Sequence, residues 1–164
     1  MHGREILENL LKEHAGLRER LREWEAALNQ ASGSSYAQCQ HAVGVLRELC
    51  QVFEHELRHH IREEETVLYP TVEYKLPRLR GLVGELRDEH DVFRQAFDEF
   101  RRELLHFNAT GELRQLLPLG RDLVRLLRQH IEREERDLHP VVLREFKEDD
   151  WQELRRLYAD SEVA

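Results

Sequence analysis

The sequence predicts an all-α protein, an antiparallel up-down-up-down four-helix bundle with a short C-terminal helix. Apolar residues recur at three- and four-residue steps through four long stretches, which is helical periodicity. Hydrophobic residues make up 40% of the chain and charged residues 35%, as expected of helices with one buried stripe and one solvated face. The connections between the stretches are short, and short connections make neighbouring helices antiparallel.

The first predicted helix runs from Glu5 to Leu28, and the small polar residues from Gln30 to Ser35 predict the turn after it. Two prolines, Pro70 and Pro77, bracket the end of the second helix and the next turn. The buried stripes predicted for these two helices are Leu7, Leu10, Leu17, Leu21, Trp24 and Leu28, then Val43, Leu46, Cys50, Phe53, Leu57 and Leu68.

The third helix is predicted to start near Arg78 and to end at a turn marked by Asn108 and Gly111. In the fourth, Pro118 either opens the helix or kinks its first turn. Asp149-Asp150 predicts the N-cap of a short tail helix that packs across the bundle through Leu154 and Leu157. The stripes are Leu82 or Val83, Leu86, Phe93, Phe97, Phe100 and Leu104, then Leu116, Leu119, Leu123, Leu127, Leu138 and Val141.

Length and charge restrict the class of protein. A chain of 164 residues predicts one domain, 1–164, with the bundle over about 5–145 and the tail helix over about 149–160. The net charge of −8, with acids interleaved among the bases, argues against nucleic acid as a partner. Without an apolar run of signal-peptide or membrane-spanning length, we expect a cytoplasmic protein with no membrane partner. The spacing of Cys39 and Cys50 suggests neither a disulfide framework nor a thiolate metal site.

In each of the four stripes, a histidine stands where the next leucine should fall. On the second and fourth helices a glutamate follows that histidine at i+4, so both side chains share one face. A buried carboxylate costs several kcal/mol unless a positive charge compensates it. Protonated histidines would serve, but imidazoles and carboxylates are also the ligands that a pair of divalent metals prefers. The residues in question are His14, His60, Glu64, His90, His130 and Glu134.

An antiparallel bundle also predicts the depth of these residues. His14 and His90 lie about nine and twelve residues from the starts of their helices, and His60 and His130 about ten from the ends of theirs. At about 1.5 Å per residue, all four lie roughly 14–18 Å from the same end of the bundle. Their side chains are therefore expected to converge.

An internal repeat relates the two halves of the chain. Glu13-His14 is matched by Glu89-His90, and residues 60–70 are matched by residues 130–140. The repeat also resolves the register of the second helix, where His59 and Glu63 have the same spacing as the chosen pair. Their counterparts, Gln129 and Arg133, are not a ligand pair, so the repeat selects the register of His60.

The pattern H…HxxxEExxLxP…H…HxxxEExxLxP resembles the haemerythrin-like, or HHE, family over about residues 5–145. The resemblance implies a four-helix bundle around a non-haem di-iron centre, two iron ions with an oxo or hydroxo bridge, although manganese and zinc suit the same ligands. It implies four terminal imidazole ligands and two bridging carboxylates. These are His14, His60, His90 and His130, with Glu64 and Glu134 as the bridges.

The chain departs from the oxygen-carrying members of that family. Its third helix reads His90-Asp91-Val92-Phe93-Arg94 where the carriers have HxxxH, and His130 and Glu134 replace a histidine and an aspartate five residues on. It is more similar to the bacterial iron-sulfur-repair and nitric-oxide-reactive branch, whose fewer ligands leave coordination positions open. We therefore expect a protein that binds or reacts with dioxygen, peroxide or nitric oxide in stress response or sensing.

Alternatives stay open from sequence. The chain also suits an iron-binding storage, donor or sensor protein without turnover, and less well a metal-free helical interaction domain. Whether it is an enzyme, and which protein partners it has, the sequence does not decide.

Residues around the predicted ligands are assigned less specifically. The acids Glu13, Glu65, Glu89 and Glu135 either accept hydrogen bonds from ligand imidazoles or belong to solvated faces. His139 takes the place of Tyr69 in the repeat and is predicted to line an entry path or to donate a hydrogen bond. The histidines assigned to the surface or to the neighbourhood of the ligands are His2, His41, His55, His59, His106 and His139.

Overall fold

The computed structural model describes residues 2–33, 35–107 and 113–163 of the chain. Two π-helical turns, Glu64–Leu68 and Glu134–Leu138, and one 3-10 turn, Pro77–Leu79, lie between α-helices. No described residue lies in a strand, which confirms the all-α prediction. The α-helices are α1 Gly3–Ser32, α2 Tyr36–Glu63, α3 Tyr69–Lys75, α4 Arg80–His106, α5 Leu113–Arg133, α6 His139–Glu145 and α7 Glu148–Val163.

Several boundaries differ from the predicted ones. Helix α1 continues to Ser32, so the first part of the predicted turn at Gln30–Ser35 is helical. Helix α5 begins before Pro118, which lies inside the helix and does not open it. The predicted turn at Asn108 and Gly111 lies outside the described residues.

The start of the tail helix also differs from the prediction. Helix α7 begins at Glu148, so Asp149-Asp150 lies in its first turn and is not the N-cap. The side chain of Asp150 accepts a hydrogen bond from the backbone nitrogen of Lys147 at 2.9 Å and so satisfies a donor that the helix leaves free. As predicted, the helix packs across the bundle, burying Trp151 and Leu154.

The π turns are explained by the prolines of the internal repeat. Pro70 and Pro140 have no N–H, and a proline ring inside an α-helix clashes with the carbonyl one turn earlier. In the structure the backbone N–H of Tyr69 bonds to the carbonyl of Glu64, and that of His139 bonds to Glu134, both at i→i+5. The wider turn lets each helix continue past its proline. The second helix of the bundle, made of α2, the π turn and α3, therefore continues past Pro70 and ends at Lys75, just before Pro77.

Side-chain contacts show that neighbouring helices are antiparallel. His14 and Trp24 of α1 contact His60 and Phe53 of α2, so residue numbers rise along one helix as they fall along the other. The other interfaces show the same reversal. Between α1 and the fourth helix of the bundle, the pairs are Arg18–Glu135 and Glu25–Arg128. Between the second helix of the bundle and α4 they are Glu65–His90 and Glu54–Arg101, and between α4 and α5 they are Glu89–Arg133 and His90–His130. A four-helix bundle with a short C-terminal helix results, as the sequence predicts.

The apolar core is divided into two clusters. One, around Trp24 and Phe100, fills the half of the bundle that includes the α1–α2 connection, and the other, around Leu7 and Tyr69, lies under α7. The predicted stripes are buried in these clusters, with Val83 rather than Leu82 in the third. In the fourth, Leu119 and Val141 are only partly buried. Val142 takes the inner position in place of Val141, since the π turn at Glu134–Leu138 rotates the residues of α6 about the helix axis. The layer between the clusters is polar.

Gly3 allows α1 to approach the backbone of α7 closely. A Cβ at this position would overlap the carbonyl oxygen of Trp151, so Gly3→Ala must displace one of the helices. We expect this change to cost about 1–3 kcal/mol and to speed hydrogen exchange in α7. The control is Gly16→Ala in the same helix, where a Cβ meets nothing within 4 Å. That variant should gain about 0.5–1 kcal/mol, and equal effects at both positions would contradict the packing argument.

Candidate metal centre

The six residues singled out in the sequence meet in the polar layer between the two apolar clusters. Each of them is at most 5% exposed. Their ligand atoms form two groups that share one carboxylate: His14, His60, Glu64 and Glu134 in the first, and Glu64, His90 and His130 in the second. Within each group these atoms lie within 4.8 Å of one another. The predicted convergence is thus confirmed in the geometry.

Each imidazole is held by a glutamate from a neighbouring segment of the bundle. The Nδ1 atoms of His60, His130 and His90 lie 2.7, 2.8 and 2.9 Å from a carboxylate oxygen, and that of His14 lies 3.2 Å away. A carboxylate only accepts hydrogen bonds, so each Nδ1 carries a proton and donates it. These glutamates are Glu13, Glu89, Glu65 and Glu135, the acids for which the sequence left two interpretations.

Arginines hold three of these four glutamates from outside. Arg18 binds Glu135 through both terminal nitrogens, at 2.8 and 2.6 Å, and Arg94 binds Glu65 at 2.6 Å. Arg133 binds Glu89 in the same way at 2.5 Å. Among the described residues Glu13 has no such arginine, because the repeat places Glu63 where Arg133 stands in the other half. Three imidazoles are therefore oriented by a charged pair and His60 by a carboxylate alone.

The atoms that face inward are left without hydrogen-bond partners. They are the Nε2 atoms of the four histidines, both oxygens of Glu64 and the Oε2 of Glu134. They lie close to one another, for example 2.9 Å from His60 Nε2 to Glu64 Oε1, but without the direction of a hydrogen bond. Buried polar atoms are normally paired, because an unpaired one costs about 1–3 kcal/mol. So many in one layer indicate a site built for a cation.

Charge within this layer shifts the ionisation of its members. Burial alone lowers the pKa of His14, but the carboxylates of Glu134 and Glu64 raise it to about 9. Burial likewise opposes the charge on His60, whose pKa Glu64 and Glu13 nevertheless raise to about 10. Burial raises the pKa of Glu64, and the surrounding imidazoles, His60 first, bring it well below its usual range. Without a metal, the layer thus carries protons that a bound cation would displace.

Two further residues belong to this layer, and helical periodicity does not predict them. Tyr69 is fully buried and its hydroxyl donates to Glu134 Oε1 at 2.5 Å. His139 is 2% exposed and its ring stacks on that of His14 at 5.3 Å. Each lies five residues after a glutamate, roughly 140° round an α-helix from it. The π turn brings each onto the glutamate's face, so His139 lies beside the site, and the prolines were the signal for it. Its predicted roles, lining an entry path or donating a hydrogen bond, stay predictions.

The alternative register lies at the surface. The ring nitrogen of exposed His59 is 3.2 Å from Glu63, and together with Glu13 they form a small group beside the main layer. The structure thus places His60 inside and His59 outside, as the repeat predicts, while the choice of His60 as a metal ligand stays a prediction. The other histidines assigned to the surface, His2, His41, His55 and His106, are exposed.

Comparison with known protein families agrees with this geometry. The family model for the hemerythrin HHE cation-binding domain matches residues 5–142, which include every residue of the layer. The chain belongs to the haemerythrin HHE family. No curated protein gave a significant match.

The inward nitrogen and oxygen atoms of this haemerythrin domain are suitable ligands for a metal cation, as the description of the family implies. Imidazole nitrogen and carboxylate oxygen suit iron, manganese and zinc alike, and the Nδ1 hydrogen bonds leave each Nε2 atom directed inward, where it would bind a metal after losing its proton. Among the described residues, no helix is both long and apolar enough to span a membrane.

The outer glutamates are expected to matter for affinity. We predict that Glu135→Gln, which leaves His14 without a charged acceptor, weakens metal binding about 10–100-fold. Glu132→Gln, an exposed site one turn earlier in the same segment, is the control and should leave the affinity unchanged. Metal titration of both variants provides the comparison. If the two variants bind metal with equal affinity, Glu135 belongs only to a solvated helix face and does not support His14.

Proposed function

We propose that this haemerythrin-like domain holds two iron ions between the four histidines and two glutamates of its polar layer. Glu64, whose oxygens face both groups of histidines, would bridge the ions, and Glu134 would do the same beside it. A carboxylate shared by two cations offsets their mutual repulsion. The observation that carries the proposal is the set of seven inward atoms without hydrogen-bond partners.

The bound pair would serve a small ligand rather than a macromolecule. Six protein ligands leave two metal ions with open coordination positions, and the buried layer excludes large substrates. We propose dioxygen, peroxide or nitric oxide as the ligand and stress response or sensing in the cytoplasm as the setting. Iron supplies redox chemistry when bound, while the imidazoles and their glutamates hold it and exclude water.

Elemental analysis of protein purified without air tests this proposal, together with a visible spectrum recorded after exposure to air. About two irons per chain with ferric absorption bands would support it. Zinc, a single ion, or no metal even after anaerobic iron addition would overturn the di-iron proposal and leave the fold intact. Two manganese ions in place of iron would support a two-metal site in this layer but would overturn the proposal that the metal is iron.

Metal affinity is expected to rise with pH. The pKa values of His14 and His90 are raised to about 9 and that of His60 to about 10, so these imidazoles carry protons at neutral pH in the metal-free protein. A metal ion must displace them, and the competition weakens as the pH increases towards those values. Calorimetric titration with Mn²⁺ in buffers of different ionisation enthalpy should show proton release on binding. An affinity that stays constant between about pH 6 and about pH 8 would contradict this expectation.

The alternative is a protein that stores, donates or senses iron without turnover. It is favoured by the dependence of the buried charges on a cation, because a metal that completes the core also stabilises the fold. This version predicts a large loss of helical circular dichroism on chelation and no consumption of peroxide or nitric oxide. The leading version predicts a retained bundle and measurable consumption or binding.

A further inference from the structure

The two halves of the repeat differ at one position of the polar layer. Tyr69 and His139 both come directly after a π turn and both stack on a histidine of the layer, His90 at 5.6 Å and His14 at 5.3 Å between ring centroids. The ring planes are nearly parallel in both pairs, at 18° and 20°. These two residues are therefore structural counterparts with different side chains.

Their hydrogen bonding is not equivalent. The hydroxyl of Tyr69 reaches across the layer to Glu134 Oε1. The imidazole of His139 is shorter than a phenol, and neither of its ring nitrogens has a hydrogen-bond partner among the described residues, nor has either oxygen of Glu64. In one half of the layer, the tyrosine hydroxyl is hydrogen-bonded to a glutamate. In the other half, the imidazole of His139 and the carboxylate of Glu64 have no hydrogen-bond partner in the described part of the chain.

His139 also stands apart from the converging ligand atoms. It is 2% exposed and stacked on His14, yet it belongs to neither group whose atoms lie within 4.8 Å of one another. A buried imidazole without a partner destabilises a fold, so its presence calls for a partner that the protein itself does not supply. Because His139 lies outside both groups, its position favours a hydrogen bond to a molecule bound at the centre over a role as a metal ligand.

We propose that His139 donates a hydrogen bond to a small anionic or polar ligand that binds on the His14 side of the centre. The inference rests on the proposed function, since it requires metal in the layer. A neutral imidazole has one N–H to donate, and oxygen or nitrogen atoms of a small ligand accept it. In the other half Tyr69 occupies the equivalent place, so exogenous ligands would bind on one side only.

Azide is a suitable probe, because it is a small anion that accepts hydrogen bonds and binds ferric iron. Iron-loaded wild-type protein, His139→Leu and His139→Gln would each be titrated with azide by absorption, after the iron content of each is measured. We expect His139→Leu to keep its iron and to bind azide at least about tenfold more weakly. Glutamine retains an N–H donor, so His139→Gln should recover most of the affinity, to within about threefold of wild type.

Each other outcome has a definite meaning. Unchanged azide affinity in an iron-loaded His139→Leu variant would overturn the inference and leave the proposed function intact. Loss of iron in this variant would make His139 a metal ligand and also overturn it, as would a lower melting temperature of the metal-free variant, which would show a structural partner. Failure of the wild-type protein to bind iron would overturn the proposed function and this inference with it.

Discussion

Replacement of Glu64 by glutamine is expected to abolish binding of the metal pair. Glutamine has the same size and no charge, so the fold is retained while the shared carboxylate of both histidine groups is lost. Iron content should fall from about two per chain to well below one. The rise in melting temperature on metal addition should disappear as well, since a ligand at about 100 times its Kd stabilises a protein by about 2.7 kcal/mol.

The comparison variants make this test specific. Glu134→Gln should lose the metal pair too, although its Oε1 also accepts the hydroxyl of Tyr69 and its metal-free stability will therefore change more. Glu132→Gln, exposed on the same segment, should keep both metal and the metal-dependent melting shift. A Glu64→Gln protein that still holds about two irons would contradict the bridging role.

Replacement of Trp24 by alanine is expected to cause the largest loss of stability. Trp24 is 1% exposed and packs against Phe53, Phe97 and Phe100, with ring centroids 4.9–6.3 Å apart. Its indole N–H has no hydrogen-bond partner in the described structure, so its contribution is packing alone. We expect a loss of about 3–5 kcal/mol in the free energy of unfolding, or roughly 10–15 °C in melting temperature.

This loss should be separable from metal binding. Trp24 lies in the cluster on the far side of the layer from α7 and touches none of the six inward residues through its ring contacts. Metal should therefore raise the melting temperature of Trp24→Ala by about as much as that of the wild-type protein. Trp24→Phe keeps most of the packing and should lose less than half as much. Equal losses in both variants would point to a role for the indole nitrogen instead.

Much of the site could be predicted from local geometry that the sequence carries. Residues on an α-helix advance by a fixed angle, so the stripe that holds Leu10, His14 and Leu17 had to face one way. The internal repeat then chose His60 over His59, and the structure places His60 in the core and His59 at the surface. The depth of each histidine could be predicted because antiparallel helices with short connections share their ends.

Features that depend on contacts between helices could not be predicted in this way. The sequence shows that Glu135 and Glu13 are acidic, but only the packing of neighbouring helices decides that they bind the Nδ1 atoms of His14 and His60. The solvated-face interpretation of these acids was equally good until those distances were known. Side-chain partners across an interface depend on helix separation and rotation, which no single helix encodes.

By itself, then, the sequence determined the helical class, the antiparallel order and the six inward residues, because each depends on the fixed pitch of an α-helix and on the repeat. The tertiary structure decided where that pitch changes. The π turns before Pro70 and Pro140 rotate Tyr69 and His139 into the polar layer, where one is bonded to Glu134 and the other keeps both ring nitrogens free. A change of pitch shifts every later residue on the helix, so only the folded backbone shows which side chains reach the centre.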